Sequence, residues 1–160
     1  MLSADELKAL ALKHTPAFKN YFKKNKNRLK KMDNEVHFLH EKTMSATDCL
    51  QCANCCKNLG PALYDKDIEK IAKALRIKPA DVVEQYLRID EDHDYVFKSM
   101  PCPFLMPDNY CSIYEHRPKA CKEYPHTNRK KFYQIYHLTI KNASICPVTY
   151  EILKKVSDID

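Results

Sequence analysis

Apolar residues recur along this chain at helical spacing more often than at strand spacing. Leu7, Leu10 and Leu12 follow Ser3-Ala-Asp-Glu6, a capping-box signature, and predict a short helix through about Lys13. Thr15-Pro16 predicts a break, with Pro16 in the first turn of a second, longer helix. In that segment Phe18, Phe22, Leu29, Met32, Val36 and Leu39 alternate spacings of three and four, and Asn25 occupies the one missing step. About 25 residues at this spacing give a helix roughly 38 Å long, laid across its own domain. A coiled-coil seam is the competing reading, weakened by the short repeat and its polar interruption.

Farther on, Lys57 to Pro61 reads as a turn, and Ile68, Ile71, Ala72 and Leu75 form one face of a helix from Asp65 to Leu75. Arg76 to Pro79 ends it, and Pro79 to about Arg88 predicts another helix packed through Val82, Val83, Tyr86 and Leu87. Asp90 to Asp94 reads as a loop. Tyr95 to Lys98 reads as a short strand paired with Cys111 to Tyr114 across the turn residues Pro107 to Tyr110. Arg117-Pro118 opens a brief helical turn containing Cys121. Phe132 to Ile140 fits helix and strand equally, and Pro147 to about Val156 closes the chain as a helix. The expected fold is α+β and mainly α-helical. It comprises an N-terminal helical segment (1–47) and a small metal-centred domain with a short β-hairpin (48–160).

Composition narrows the chemistry. Gly60 is the single glycine in 160 residues, which excludes dinucleotide fingerprints and Walker loops, since both need several glycines near phosphate. No apolar run is long enough to span a bilayer, so a membrane partner is not expected. Lys and Arg outnumber Asp and Glu by 27 to 21, for a net charge of +6; this mild excess weighs against a dedicated nucleic-acid binder. Even so, the stretch from Lys19 to Lys31 holds seven cations and no acid. It reads either as a solvated helix face or as a surface for phosphate or an acidic protein partner. His37 and His40, three apart on the same helix, read as surface residues.

The cysteines carry the candidate function. Cys49, Cys52, Cys55 and Cys56 lie within eight residues, and Cys102, Cys111, Cys121 and Cys146 follow. Two-residue spacing lets sulfurs converge on one metal. The opening Met1-Leu-Ser-Ala-Asp-Glu6 has no basic and no apolar leader region. A cytoplasmic location is therefore expected, where thiols serve metal or redox chemistry rather than disulfides. Cys49, Cys52 and Cys55 with a remote Cys-Pro (Cys102-Pro103 or Cys146-Pro147) follow the ligand grammar of a [4Fe–4S] site. Zinc competes, with four thiolates per ion in a closed tetrahedron. Adjacent Cys55 and Cys56 point apart and serve different centres, or one is a spectator. The eight cysteines are expected to form one spatial cluster. His116 and His126 are candidate nitrogen ligands, and Arg117 and Glu115 are either charge-balancing neighbours of the thiolates or an ordinary ion pair.

Taken in order, these motifs resemble the YkgJ-type cysteine-cluster family, a zinc- or iron-chelating domain. They run from Cys49-x2-Cys52-x2-Cys55-Cys56 through Pro101-Cys102-Pro103-Phe104-Leu105 and Cys111-Ser-Ile-Tyr-Glu-x-Arg117-Pro118. Cys121-Lys-Glu-Tyr-Pro125 and Cys146 complete them. The resemblance implies a metal ion or cluster as cofactor, zinc or iron, held by these eight cysteines. It differs at Ala53, where the family often has Gly, and at Lys122, where it often has Arg. The cluster also resembles that of flagellin lysine methylases, which implies iron–sulfur redox or methyl transfer as the enzymatic alternative. A structural-zinc module touching nucleic acid or an acidic partner is the second.

Overall fold

The computed structural model describes residues 2–159, so Met1 and Asp160, the ends of the two expected segments, lie outside the description. The chain is mainly helical, opens with a long helix and contains a two-stranded antiparallel hairpin, the expected fold class. In order, the elements are α1 (Ala4–Lys24), α2 (Lys26–Leu29), α3 (Asp33–Ser45), α4 (Cys49–Cys52), α5 (Asn54–Asn58), α6 (Asp65–Leu75) and α7 (Pro79–Tyr86). There follow β1 (Leu87–Ile89), β2 (Tyr95–Phe97), α8 (Lys119–Glu123), α9 (Tyr136–Asn142) and α10 (Pro147–Val156). They fall into two compact units, residues 1–48 with 125–160, and residues 49–124.

In the first unit, α10 packs against α1, α3 and α9. Its Val148, Tyr150, Ile152, Leu153 and Val156 are buried. Tyr150 lies edge-on to Phe18, and its hydroxyl meets His14 Nδ1 at 2.9 Å. The capping box at Ser3 and Glu6 forms as expected, but the break at Pro16 does not: α1 runs through it. A proline removes one donor from the ladder. Here it sits one turn beyond Leu12, an outward-facing position 62% exposed, while the Thr15 hydroxyl donates to the Ala11 carbonyl at 2.7 Å. The expected 38 Å helix is absent among the described residues, because the chain bends at Asn25. Its side-chain amide donates to the Tyr21 carbonyl at 2.8 Å and ends α1. The missing step in the apolar stripe marks a helix end.

Residues 126–132 are fastened along α3. Asp33 accepts from the backbone N–H groups of Lys131 and Phe132 at 2.6 and 2.9 Å. His37 Nε2 meets the Arg129 carbonyl at 3.0 Å, and His40 Nδ1 meets the Thr127 hydroxyl at 2.7 Å. Both histidines are thus structural ties within this unit. Phe132 to Ile140, ambiguous in sequence, is a 3₁₀ turn (Phe132–Gln134) leading into α9.

In the second unit, α6, α7 and the hairpin enclose Leu63, Ile68, Ile71, Val82, Leu87, Phe97, Phe104 and Ile113. β2 pairs with β1 in the register Leu87↔Phe97, not with Cys111 to Tyr114 as expected. The acidic loop explains the choice: the Asp90 carboxylate accepts from the N–H groups of Asp92 and Asp94, each at 3.0 Å, and folds the turn between the two strands. The turn at Pro107 to Tyr110 does form, closing a single bridge between Leu105 and Cys111.

Burial holds the His40 pKa below its ordinary 6.5. The unfolded chain then takes up the proton first, so stability from neutral His40 is complete above about pH 7 and is lost as pH falls through 6.5. His40→Gln should flatten the dependence of melting temperature on pH between 5.5 and 7.5, read by circular dichroism. An unchanged slope would contradict this assignment.

Candidate metal centre

The first cysteine loop is not a loop but two helical turns. α4 carries Cys49 and Cys52, α5 carries Cys55 and Cys56, and Ala53 joins them with a left-handed φ of 45°. An L residue pays about 1–2 kcal/mol for that backbone, and glycine does not. This is the position where the resemblance expects glycine, and the geometry supplies the reason. Ala53 is buried, so the smallest side chain with a Cβ occupies it.

Three further segments come to this turn. The Cys102 N–H donates to the Cys56 carbonyl at 2.8 Å, directly after the cis Met100–Pro101 peptide. Cys111 returns through the 106–110 turn, and the Ser112 N–H donates to the Phe104 carbonyl at 2.8 Å. Phe104 and Ile113 each stand two positions after a cysteine and enter the core, which draws Cys102 and Cys111 against its edge. Cys121 arrives on α8, which begins where the Lys119 N–H donates to Asp67 Oδ1 at 3.0 Å. Asp67 Oδ2 accepts from the Tyr64 N–H at 3.1 Å, and this carboxylate is only 2% exposed. Sequence reading missed Asp67. An acid in the first turn of α6 looks like ordinary capping, and nothing local marks its second partner 52 residues away.

Cys56, Cys102, Cys111 and Cys121 lie in one another's electrostatic field. Cys55 and Cys56, expected to point apart, instead bring their sulfurs to 3.9 Å; this contact and the charges of Arg117 and Lys57 pull the Cys56 pKa down to about 7. Burial, reinforced by the charge of Cys56 and Cys111, pushes Cys102 up to about 11. Burial and the other three sulfurs push Cys121 up to about 12, and Cys111 is raised by burial and by Cys56. Arg117 stacks on the Tyr114 ring, with Cζ 3.6 Å from its centre, and Nε donates to the Tyr114 carbonyl at 2.8 Å. Its charge acts on Cys56, Cys111 and Cys121, the charge-balancing reading. Glu115 instead offers its carbonyl to Lys122.

Cys49, Cys52, Cys55, Cys56, Cys102, Cys111 and Cys121 all lie in the second unit. Cys146 belongs to the first, buried immediately before α10, where its carbonyl accepts from the Tyr150 N–H at 3.1 Å. His116 is in the second unit and His126 in the first. Cys52, Cys56, Cys102, Cys111 and Cys121 are outside any disulfide. Among the described residues no three Cys, His, Asp or Glu side chains stand at coordinating distance from a common point, so the four sulfurs are neighbours and not a closed polyhedron. Their chemistry still fits a thiophilic cation, because ionised sulfurs this close repel one another and positive charge among them relieves it.

A helical domain that gathers thiols from four segments in this way defines a cysteine-cluster metal-binding protein. The chain belongs to the CxxCxxCC family, described as a "putative zinc- or iron-chelating domain", which matches residues 48–146. It is also similar to the uncharacterized protein MJ0661 of Methanocaldococcus jannaschii, at 29% identity over 110 residues, 67% of this chain and 53% of the relative. The chain thus spans about half the length of the curated relative it matches. No solved structure matches it significantly.

Asp67→Ala leaves two backbone donors without their acceptor, at about 1–3 kcal/mol each. Stability should fall by roughly 3 kcal/mol in urea unfolding, with Asp67→Asn milder because one carbonyl oxygen remains. An Asp67→Ala protein as stable as wild type would remove Asp67 as the anchor of α8.

Proposed function

We propose that the chain holds zinc or iron through thiolates, with Cys56, Cys102, Cys111 and Cys121 as one ligand set. Cys49, Cys52 and Cys55 are further donors, at the spacing of a [4Fe–4S] triplet. The carrying observation is that backbone contacts gather four thiols from four separated segments, with the Cys102 N–H on the Cys56 carbonyl and α8 clamped by Asp67, and that the charge of Arg117 acts on Cys56, Cys111 and Cys121. A bound thiophilic cation supplies the positive charge that lets neighbouring sulfurs ionise together. The chain's own parts hold the donors in place: the Cys56–Cys102 backbone bond, the Phe104 and Ile113 anchors, and the Asp67 clamp on α8. In a domain of this size, such binding adds directly to folding stability.

Anaerobic purification followed by zinc, iron and acid-labile sulfide analysis separates the metals. Stoichiometric iron and sulfide with a broad visible absorption selects the cluster, and colourless protein with zinc selects the ion. Either way, Cys56→Ser should lose metal as completely as Cys121→Ser, and both should melt at lower temperature. Thiols bind as thiolates, so metal uptake releases protons and apparent affinity falls as pH is lowered. Full metal content in both variants would overturn the assignment.

A further inference from the structure

The net charge of +6 is an average over two unlike units. Residues 1–48 with 125–160 carry 16 basic against 9 acidic residues, whereas residues 49–124 carry 11 against 12. The whole basic excess therefore belongs to the first unit, and within it to two stretches far apart in sequence. Residues 23–31 hold six cations and no acid. Arg129, Lys130 and Lys131 form the second stretch, and the fold brings it to the end of the first. Lys30 and Lys31 stand just before Asp33, whose carboxylate accepts from the Lys131 and Phe132 N–H groups. All nine cations are exposed.

The carboxylates recorded against this surface offset it only in part. Asp33 keeps its charge while accepting from those two backbone donors, and Glu35 pairs with Arg28 at 3.2 Å. Asp158 also acts on Arg28. Beside the basic surface, Phe38 follows His37, which is tied to the Arg129 carbonyl, and Phe38 is 66% exposed.

We propose that this surface of the first unit binds the phosphate backbone of a single-stranded nucleic acid, with Phe38 as a stacking platform for a base. The proposal stands apart from the metal reading, since none of these residues is a thiol or neighbours one. Phosphate binding needs exposed cations and no apolar centre. A protein interface is built around a buried apolar core, and a membrane-surface helix needs an apolar face to insert; this surface offers the exposed Phe38 and the Tyr21 ring under Arg28, and no apolar face. Exposed rings beside cations are the pattern of sequence-tolerant single-strand binding.

The test is fluorescence anisotropy of the full chain, as purified, with labelled U20 RNA and T20 DNA at 50 and 200 mM NaCl. For roughly five phosphate contacts on a single strand, affinity should fall about 100-fold between the two salts. Arg129→Gln with Lys130→Gln should weaken binding at least as much as Lys30→Gln with Lys31→Gln, each lowering the salt slope by about 1.4. Lys8→Gln with Lys13→Gln, the same charge change at least about 15 Å up α1 from Lys23, is the control and should matter much less. Phe38→Ala should cost about tenfold with the salt slope unchanged. Whether RNA or DNA binds more tightly tells which strand the phosphate comes from. Absence of salt-sensitive binding to either strand overturns the proposal. So does a control that loses as much as the two pairs, or equal or tighter binding to polyglutamate or to phosphatidylserine-containing vesicles. The substituted lysines are exposed, and unchanged melting curves show that lost binding is not lost fold.

Discussion

Four partly buried thiols within one another's electrostatic field cannot all ionise at neutral pH without a compensating charge. Several contacts of the second unit bear on that constraint. Arg117 supplies one positive charge, held over Tyr114, and together with the Cys55 contact it favours ionisation of Cys56. Cys102, Cys111 and Cys121 stay protonated because burial and each other's charge oppose ionisation. Under the proposed function, a soft cation supplies the charge that these thiols lack. The backbone bond from Cys102 to Cys56 and the Asp67 carboxylate keep the donors from moving apart to escape one another.

Much of this was legible in the sequence wherever the information is local. The amphipathic run of α6, the proline-led start of α10 and the Arg117-Pro118 entry to α8 all fall where spacing and capping put them. Local signals failed where a distant partner decided. Pro16 is tolerated because its lost bond falls on an outward-facing turn. Tyr95 to Phe97 chose Leu87 to Ile89 because an aspartate-folded turn made that hairpin the shorter closure. His37 and His40 looked like surface residues because their partners lie about 90 residues away.

The site shows the same division. The cysteine spacing pointed to metal chemistry, and Ala53 already stood out as a departure from glycine. Only the backbone angle explained it. Asp67 and the placement of Cys56 beside the later cysteines depend on tertiary contacts, so no reading of the cysteine loop alone reaches them. The separation of the chain into a basic unit and a near-neutral one holding seven of the eight cysteines is likewise invisible in a net charge of +6.

X-ray absorption at the edge of the metal found in the anaerobically purified protein tests the central claim most directly, because it counts donor atoms around the ion itself. A first shell of about four sulfurs near 2.3 Å is the predicted result for zinc, and sulfur alone is predicted for iron. A shell dominated by nitrogen or oxygen near 2.0–2.1 Å would contradict the thiolate centre.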